Sequence, residues 1–503
     1  MSKWDVLIIG SGISSLTCAA LLAKRGKSVC VLEQYNKPGG YLHCFSRFGE
    51  RFETGAHYVG AMGKGQPFRA LLKYLDVYDD NLFVPLDTEG FDVFNFPGFQ
   101  VKFPRGYDGV IGALSAQFPQ EKTAIQAYFD MIRTVVNQFP TYQFNAASDI
   151  ETPTEALETS VATVVRRLTS NLKLQCVLFS YCIHHGVAPE DIPFGFHAIV
   201  TDSLIRGAYG LKNGGDAVAR KFVETIEKHG GSVRLNTRVA RLVTRDKHID
   251  EVVTENGETF AADWVISGIH PKAVFGLLSE PEVLSPAFRS RVANLKESTG
   301  IFGVYAACTL DLPLNPLRNY YYFGSDNPAA YLESTTPATP GAVFVSSGTR
   351  VLRPGQKTIP VSFHASSPIE WFEPWRATAY GARPQDYRAL KNELAESIFA
   401  LVERYQPGLR ASVRQFVTSS PLTNLHFNGS EEGSSYGIYH SFQNTGARSL
   451  GPRTHIRNLL LTGQNCLFPG LLGSAVAALR TSGHLVGIKP ILNELNQEMR
   501  NFT

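Results

Sequence analysis

Gly10 and Gly12 follow the apolar run Val6-Leu7-Ile8-Ile9, and the carboxylate of Glu33 closes a second apolar run, Ser28 to Leu32. Residues of these types at this spacing recognise anions and hydroxyls. Gly10 lets the chain turn sharply, and Gly12 lets backbone N–H groups approach a pyrophosphate at a helix N-terminus, where the helix dipole favours negative charge. Glu33, at about the 20-residue distance expected after the first glycine, accepts hydrogen bonds from a ribose. Ser15 occupies the third glycine position and is small enough for close packing of helix on strand. Near the other end of the chain, Leu459-Leu460-Leu461 runs into Thr462-Gly463-Gln464-Asn465, and Pro469-Gly470 opens an Ala-rich helix. Two helix starts of this kind suit one large cofactor, the first holding a pyrophosphate and the second an electron-rich ring edge. A flavin fits, because its reduction places negative charge on the N1–C2=O edge.

The elements that must position these residues are legible in the hydrophobic pattern. Leu16, Ala19, Ala20 and Ala23 have helical spacing, so the opening reads strand, turn, helix, strand. Gly214-Gly215 precedes an amphipathic helix over Ala217 to His229, then one strand over Val233 to Val243. A two-residue hairpin turn at Glu255 to Glu258 joins Val252-Val253 to Phe260, and Trp264 to Ser267 is a short buried strand. Between these pieces lie helices over Phe68 to Leu75, Glu121 to Phe139 and Tyr387 to Tyr405, with strands in Phe91 to Phe103, Gly300 to Leu310 and Val343 to Ser347. Apolar residues from Val161 to Ile183 recur at helical spacing over several turns, and Ile192 to Val200 is a second apolar stretch. This region is either the core of a cap domain or a greasy substrate tunnel or membrane-docking face, with Leu172 and Phe179 on its apolar side.

Composition narrows the function classes. The chain has 503 residues, a net charge of +3 and no Lys/Arg-rich block, which argues against a nucleic-acid surface. Its seven cysteines are scattered with no CxxC pair, so neither a disulfide framework nor a zinc knuckle is expected, and no metal site is. The first strand begins near Asp5, and no window reaches the roughly 18 apolar residues of a membrane span. The expected location is the cytoplasm, with peripheral contact to a membrane as the variant.

The full set of motifs resembles the flavin-dependent family of phytoene desaturases, carotenoid isomerases and retinol saturases, itself similar to the amine oxidases. The likeness rests on the opening segment with Glu33, on Gly39-Gly40-Tyr41-Leu42-His43-Cys44-Phe45, and on Phe52-Glu53-Thr54-Gly55-Ala56-His57-Tyr58-Val59-Gly60. It continues through Gly214-Gly215, Asn236-Thr237-Arg238-Val239, Ala262 to Ser267, Thr462 to Asn465 and Pro469-Gly470. The Thr-Gly-Ala-His-Tyr form of the second motif and the Thr-Gly-Gln start of the last look closest to the saturase branch. The resemblance implies an α/β fold: a GR2-type Rossmann-like FAD-binding domain built from residues 1–65, 207–275 and 450–490, with an inserted α+β substrate domain from residues 66–206 and 276–449. It implies that Gly10, Gly12, Ser14 and Ser15 cradle the FAD pyrophosphate, that Glu33 binds the adenosine ribose, and that Val239 offers its backbone to the adenine. Gly40 and Tyr41 would lie along the flavin side, Gly463, Gln464 and Asn465 at the ribityl and phosphate, and Leu472 and Gly473 at the ring. Asn465 stands where the family usually has an acid.

A flavin moves the hydride, and the protein supplies orientation, a dry pocket and one proton. No Ser/His/Asp set or metal-ligand spacing competes with that reading. The catalytic candidates are His57 and Tyr58, carried by the second motif, together with Tyr436 and His440; Tyr439 reads as a structural aromatic. The expected activity is FAD-dependent reduction, desaturation or isomerisation of a double bond in a lipophilic polyene or isoprenoid, with an external electron donor or acceptor, since a second GxGxxG after a strand is absent. The alternatives are a flavin amine oxidase and a non-catalytic escort protein that keeps the fold.

Overall fold

The computed structural model describes residues 3–146, 154–328, 336–348, 354–442, 445 and 448–501. Its organising element is a seven-stranded sheet. Val6–Ile9 of the opening strand Lys3–Ile9 lies parallel between Val29–Leu32 on one side and Trp264–Ser267 on the other. These strands are buried on both faces, which is why they read as unbroken apolar runs. Ser232–Arg234 extends the sheet beyond Val29–Leu32, and Leu459–Leu461 pairs in parallel with Val265–Ser267. The first half of Thr259–Ser267 pairs instead with His248–Thr254, across the turn that Gly257 closes. The sheet therefore draws on the beginning, middle and end of the chain.

The strand expected over Val233 to Val243 is two strands, Ser232–Arg234 and Val239–Arg245, which pair with different partners. The break comes from backbone: Asn236 takes a left-handed φ of 52°, its N–H donates to Tyr35 O, and the Thr237 N–H donates to Glu33 O. The long helix expected over Val161 to Ile183 is likewise broken, into Val161–Leu168, Leu172–Leu178 and a 3-10 turn at Ser180–His184. Thr169 goes extended, its hydroxyl accepts the Asn171 N–H, and the Asn171 side chain accepts the Leu174 N–H as a new N-cap. Short polar side chains here outcompete the continuing helix, although the apolar spacing runs straight through.

A second seven-stranded sheet shares the central core with the first. Its order is Val413–Ser419, Ile301–Thr309, Thr358–Ser366, Ala342–Ser347, Asn319–Phe323, Asp92–Phe96 and Phe99–Phe103. All its pairings are antiparallel except that of Asn319–Phe323 with Asp92–Phe96. Alternation along each strand sends Tyr320, Tyr322 and Phe363 to one core with helix Gln385–Glu403, and Tyr321, Phe323 and Phe344 to the central core shared with the first sheet.

Gly268 ends the central strand against helix Ile13–Lys24. A Cβ there would overlap Ser15 Oγ, so these two positions share one small space. Gly268→Ala should destabilise the protein by about 1–3 kcal/mol, the cost of overpacking. Adding Ser15→Gly should recover most of the loss in thermal unfolding, whereas additive losses would show that the two positions do not share the space.

Candidate active site

A cavity of about 670 Å³ runs along the C-terminal edge of the first sheet and ends under the second. Two helices open onto it. Ile13–Lys24 begins at Gly12 and Gly470–Val486 begins at Pro469, and neither start carries a side-chain cap. Their first N–H groups are therefore left for a ligand. Gly12 has open space where a Cβ would stand, while Gly40 approaches Gly12 so closely that its own Cβ would sit 3.4 Å from Gly12 Cα.

Gly10, Gly12, Ser14, Glu33, Gly40, Tyr41, Val239, Gly463, Gln464, Asn465, Leu472 and Gly473 all line this cavity. Ser14 Oγ lies 2.5 Å from Thr462 Oγ1, which joins the first glycine turn to the last. Asn465 Oδ1 accepts the Ile438 N–H at 3.0 Å, which orients the amide and leaves its NH₂ to donate. Tyr41 donates to Ser434 O at 2.9 Å, and burial pushes its phenol up to about 12. Gly214 and Gly215 lie outside the cavity: a Cβ on Gly215 would meet Leu42 O at 2.7 Å, so the pair lets a helix pack on the Gly40–Leu42 turn.

Glu33 is buried and holds the glycine turn itself. One oxygen accepts the Ser11 N–H at 2.8 Å and the Ser11 hydroxyl at 2.6 Å; the other accepts the Tyr35 N–H at 2.8 Å. Three acceptor positions are used, which leaves room for a ribose hydroxyl. Ser15 is a correction: it does not line the cavity, because its side chain fills the contact with Gly268.

At the far end stand the catalytic candidates. His57, Tyr58 and Tyr436 line the cavity, but His440 does not. The His440 ring sits behind the last glycine turn with Nε2 2.7 Å from Gln464 O, and burial lowers its pKa to about 4. It braces the turn and cannot reach a substrate. Tyr439 lies apart, donating to Asp191 at 2.7 Å. The Tyr58 hydroxyl is drawn backwards into a buried cluster, 2.6 Å from Tyr321 OH, 3.1 Å from His184 Nε2 and 3.3 Å from Asp92 Oδ2. Burial, with the Asp92 carboxylate adding to it, holds the Tyr58 phenol well above its ordinary range. Burial likewise raises the Tyr436 phenol.

Sequence reasoning singled out none of five further cavity histidines, His43, His184, His185, His270 and His364, as site residues. His184, His185 and His364 all line the space, and desolvation keeps them neutral, with His184 and His364 lowered to about 4. His184-His185 stood in the sequence as a polar pair inside an apolar stretch, a usable signal; His364 had none. The expected tunnel residues are corrected too. Phe179 is 0% exposed in the core, Leu172 is 59% exposed on the surface, and neither lines the cavity. From that region Ile183, Phe196, Ile199 and Val200 form the wall instead.

Among the lining residues the only Asp, Glu, Lys or Arg side chains are Glu33 and Arg238, both beside the opening turn and Val239. Among the described residues no helix is long and apolar enough to cross a membrane, and no group of three His, Cys, Asp or Glu side chains could hold a metal ion.

A family model described as flavin containing amine oxidoreductase matches residues 13–477. The chain belongs to that family. It is accordingly an FAD-dependent oxidoreductase of α/β fold, and the uncapped helix starts and open glycine turn of this cavity fit that cofactor. The chain is similar to an all-trans-retinol 13,14-reductase of Rattus norvegicus, 28% identical over 96% of this chain and 86% of the relative. It is similar to a chloroplastic prolycopene isomerase of Arabidopsis thaliana, 24% identical over 95% of this chain and 81% of that one. The solved cyclohexylamine oxidase from Brevibacterium oxydans shares the fold, with a TM-score of 0.60, 15% identity and coverage of 99% and 100% of the two chains.

Glu33→Ala should weaken FAD retention by about one to two decades, the value of hydrogen bonds to a charged acceptor at roughly 1.5–3 kcal/mol. Because Glu33 also ties Ser11 and Tyr35, the flavin-free variant should melt below the flavin-free parent. Flavin dilution series and thermal melts of both forms check the two effects. Unchanged retention would remove Glu33 from the cofactor site.

Proposed function

We propose that this oxidoreductase acts on a carbon–carbon double bond of an uncharged, lipophilic polyene or isoprenoid. The observation that carries the reading is the distribution of charge in the cavity. Its carboxylate and its guanidinium lie at one end, and the other end is walled by Ile183, Phe196, Ile199, Val200, Phe344 and neutral imidazoles. A protonated amine entering there would lose its hydration without a lining carboxylate to replace it, at a cost of several kcal/mol. An apolar chain gains about 0.8 kcal/mol for each CH₂ it buries. The likeness to a rat protein named for reduction of retinol supports reduction as the direction, with electrons from an external donor.

In this reading the segments of the first sheet hold the cofactor, and the second sheet with the helices before residue 207 encloses the substrate. FAD, when bound, supplies the hydride chemistry. The N–H groups at the start of Ile13–Lys24 would hold its pyrophosphate, Glu33 its ribose, and Val239 its adenine. Asn465, its oxygen already accepting from Ile438, would donate to the ribityl chain, and the uncapped start of Gly470–Val486 would serve the ring. Tyr58 and Tyr436 shape the substrate end, with Tyr58 held in place by Tyr321, His184 and Asp92. The apolar wall excludes water from the reacting carbons.

The test is anaerobic. Photoreduced enzyme mixed with a panel of polyenes should regain its oxidised flavin spectrum, and oxidised enzyme mixed with mono- and diamines should not bleach. Bleaching by amines with no response to any polyene would replace this reading with amine oxidation. A flavin that responds to neither would favour the escort-protein reading.

A further inference from the structure

Six imidazoles, those of His43, His57, His184, His185, His270 and His364, line the cavity, and they are not equivalent. His184, His185 and His364 are kept neutral by desolvation. Two of them have a carboxylate at ion-pair distance: His270, whose Nε2 lies 3.1 Å from a Glu297 oxygen that Lys272 shares, and His57, whose Nδ1 lies 3.5 Å from Oε2 of the buried Glu53; of the two, His57 is the one packed on Phe344 of the apolar wall. Glu53 itself does not line the cavity; it stands behind His57 at the end of strand Glu50–Glu53, paired with Cys44. The His57 ring is held on its other sides by His364, at 4.3 Å between centroids, and by Phe344, at 5.6 Å.

We propose that Glu53 is the positioning residue that makes His57 the proton donor of the double-bond reaction. The proposal rests on the double-bond reading above. A carboxylate beside a buried imidazolium gives a pair with no net charge, so His57 can carry a proton where its three neighbours cannot. Tyr58 is the poorer donor, since its hydroxyl is already engaged by Tyr321, His184 and Asp92. The atoms balance as follows. One carbon takes a hydride, with its electron pair, from FAD that an external two-electron donor has reduced; the other takes the proton from the His57 imidazolium. The π bond breaks, two C–H bonds form, and His57 is left neutral beside Glu53 until water reprotonates it.

Among the described residues, Glu53 and Tyr58 from its own segment and His364 from strand Thr358–Ser366 are titratable groups that face His57. Beyond them, Tyr305 packs on His364, His184 packs on Phe344, and Glu50 is held by the Thr358 hydroxyl at 2.5 Å. Of these, only the carboxylate of Glu53 sits within ion-pair distance of the His57 ring.

Two measurements test the pair. In ¹⁵N-histidine-labelled, flavin-loaded protein without substrate, the His57 ring resonance, assigned by its loss in His57→Gln, is titrated by NMR. Glu53→Gln should lower its midpoint by about one pH unit, because removing the carboxylate withdraws support from the charged ring. If that variant does not accumulate, Glu53→Asp, which keeps the charge at shorter reach, should lower it by less. In the second measurement, photoreduced enzyme is reoxidised anaerobically by a polyene across pH, with flavin content as the control for an intact site. The parental rate should fall as pH rises through the His57 midpoint, and the fall should move to lower pH in Glu53→Gln. In His57→Gln the rate should drop about 100-fold and lose that limb. An unmoved His57 midpoint overturns the role of Glu53, and a limb that persists in His57→Gln overturns His57 as donor. Failure of every polyene to reoxidise the parent overturns the double-bond reading and the donor role with it, while the titration still shows whether Glu53 and His57 are coupled.

Discussion

Two helices that open on the cavity begin with bare backbone, and much else around them serves to keep them so. A helix start normally finds a side-chain oxygen for its first N–H groups. Here Gly12 and Pro469 offer none, and the surrounding chain holds the space open instead of filling it. Glu33 pulls Ser11 back through both its N–H and its hydroxyl, Gly39 donates to Ser11 O, and Asn465 is fixed by Ile438. The two starts are brought to one cavity because Lys3–Ile9 and Leu459–Leu461 both pair with Thr259–Ser267.

The sequence exposed this part of the molecule well, because backbone approach demands glycine and a buried parallel strand demands an apolar run. Gly10, Gly12, Glu33, Gly463 and Pro469 each satisfy a local rule that can be read without a structure. Asn236 and Thr169 show where local reading fails. The first breaks a strand through hydrogen bonds to residues two hundred positions away, and the second ends a helix that the apolar spacing would continue. His440 failed for the opposite reason. Its position just before the last strand suggested the cavity, yet its ring faces the back of the turn. The substrate wall was least legible, since Phe344 and His364 come from strands whose register no local pattern sets.

The chemistry of the substrate end follows from what burial does to ionisable groups. Desolvation keeps His184, His185 and His364 neutral, with neighbouring imidazoles adding to it at His185, and a carboxylate placed behind His57 makes that one different. In the proposed reaction the same residue type is wall at three positions and acid at His57, with the distinction set by a neighbour that does not itself face the cavity. Tyr58 carries the complementary lesson: the residue lines the cavity, but its hydroxyl is spent on the network behind it.

The contact between Ser14 and Thr462 spans 448 positions of the chain, and Asn458 reaches Ile249 across another 209. A chain emerging from the ribosome therefore makes its first glycine turn long before the turn that completes the cofactor site. Flavin loading belongs to the last stage of synthesis, after the strand Leu459–Leu461 has inserted beside its partner. Until then the start of Ile13–Lys24 is an incomplete half-site, lacking the turn that Thr462 ties to Ser14.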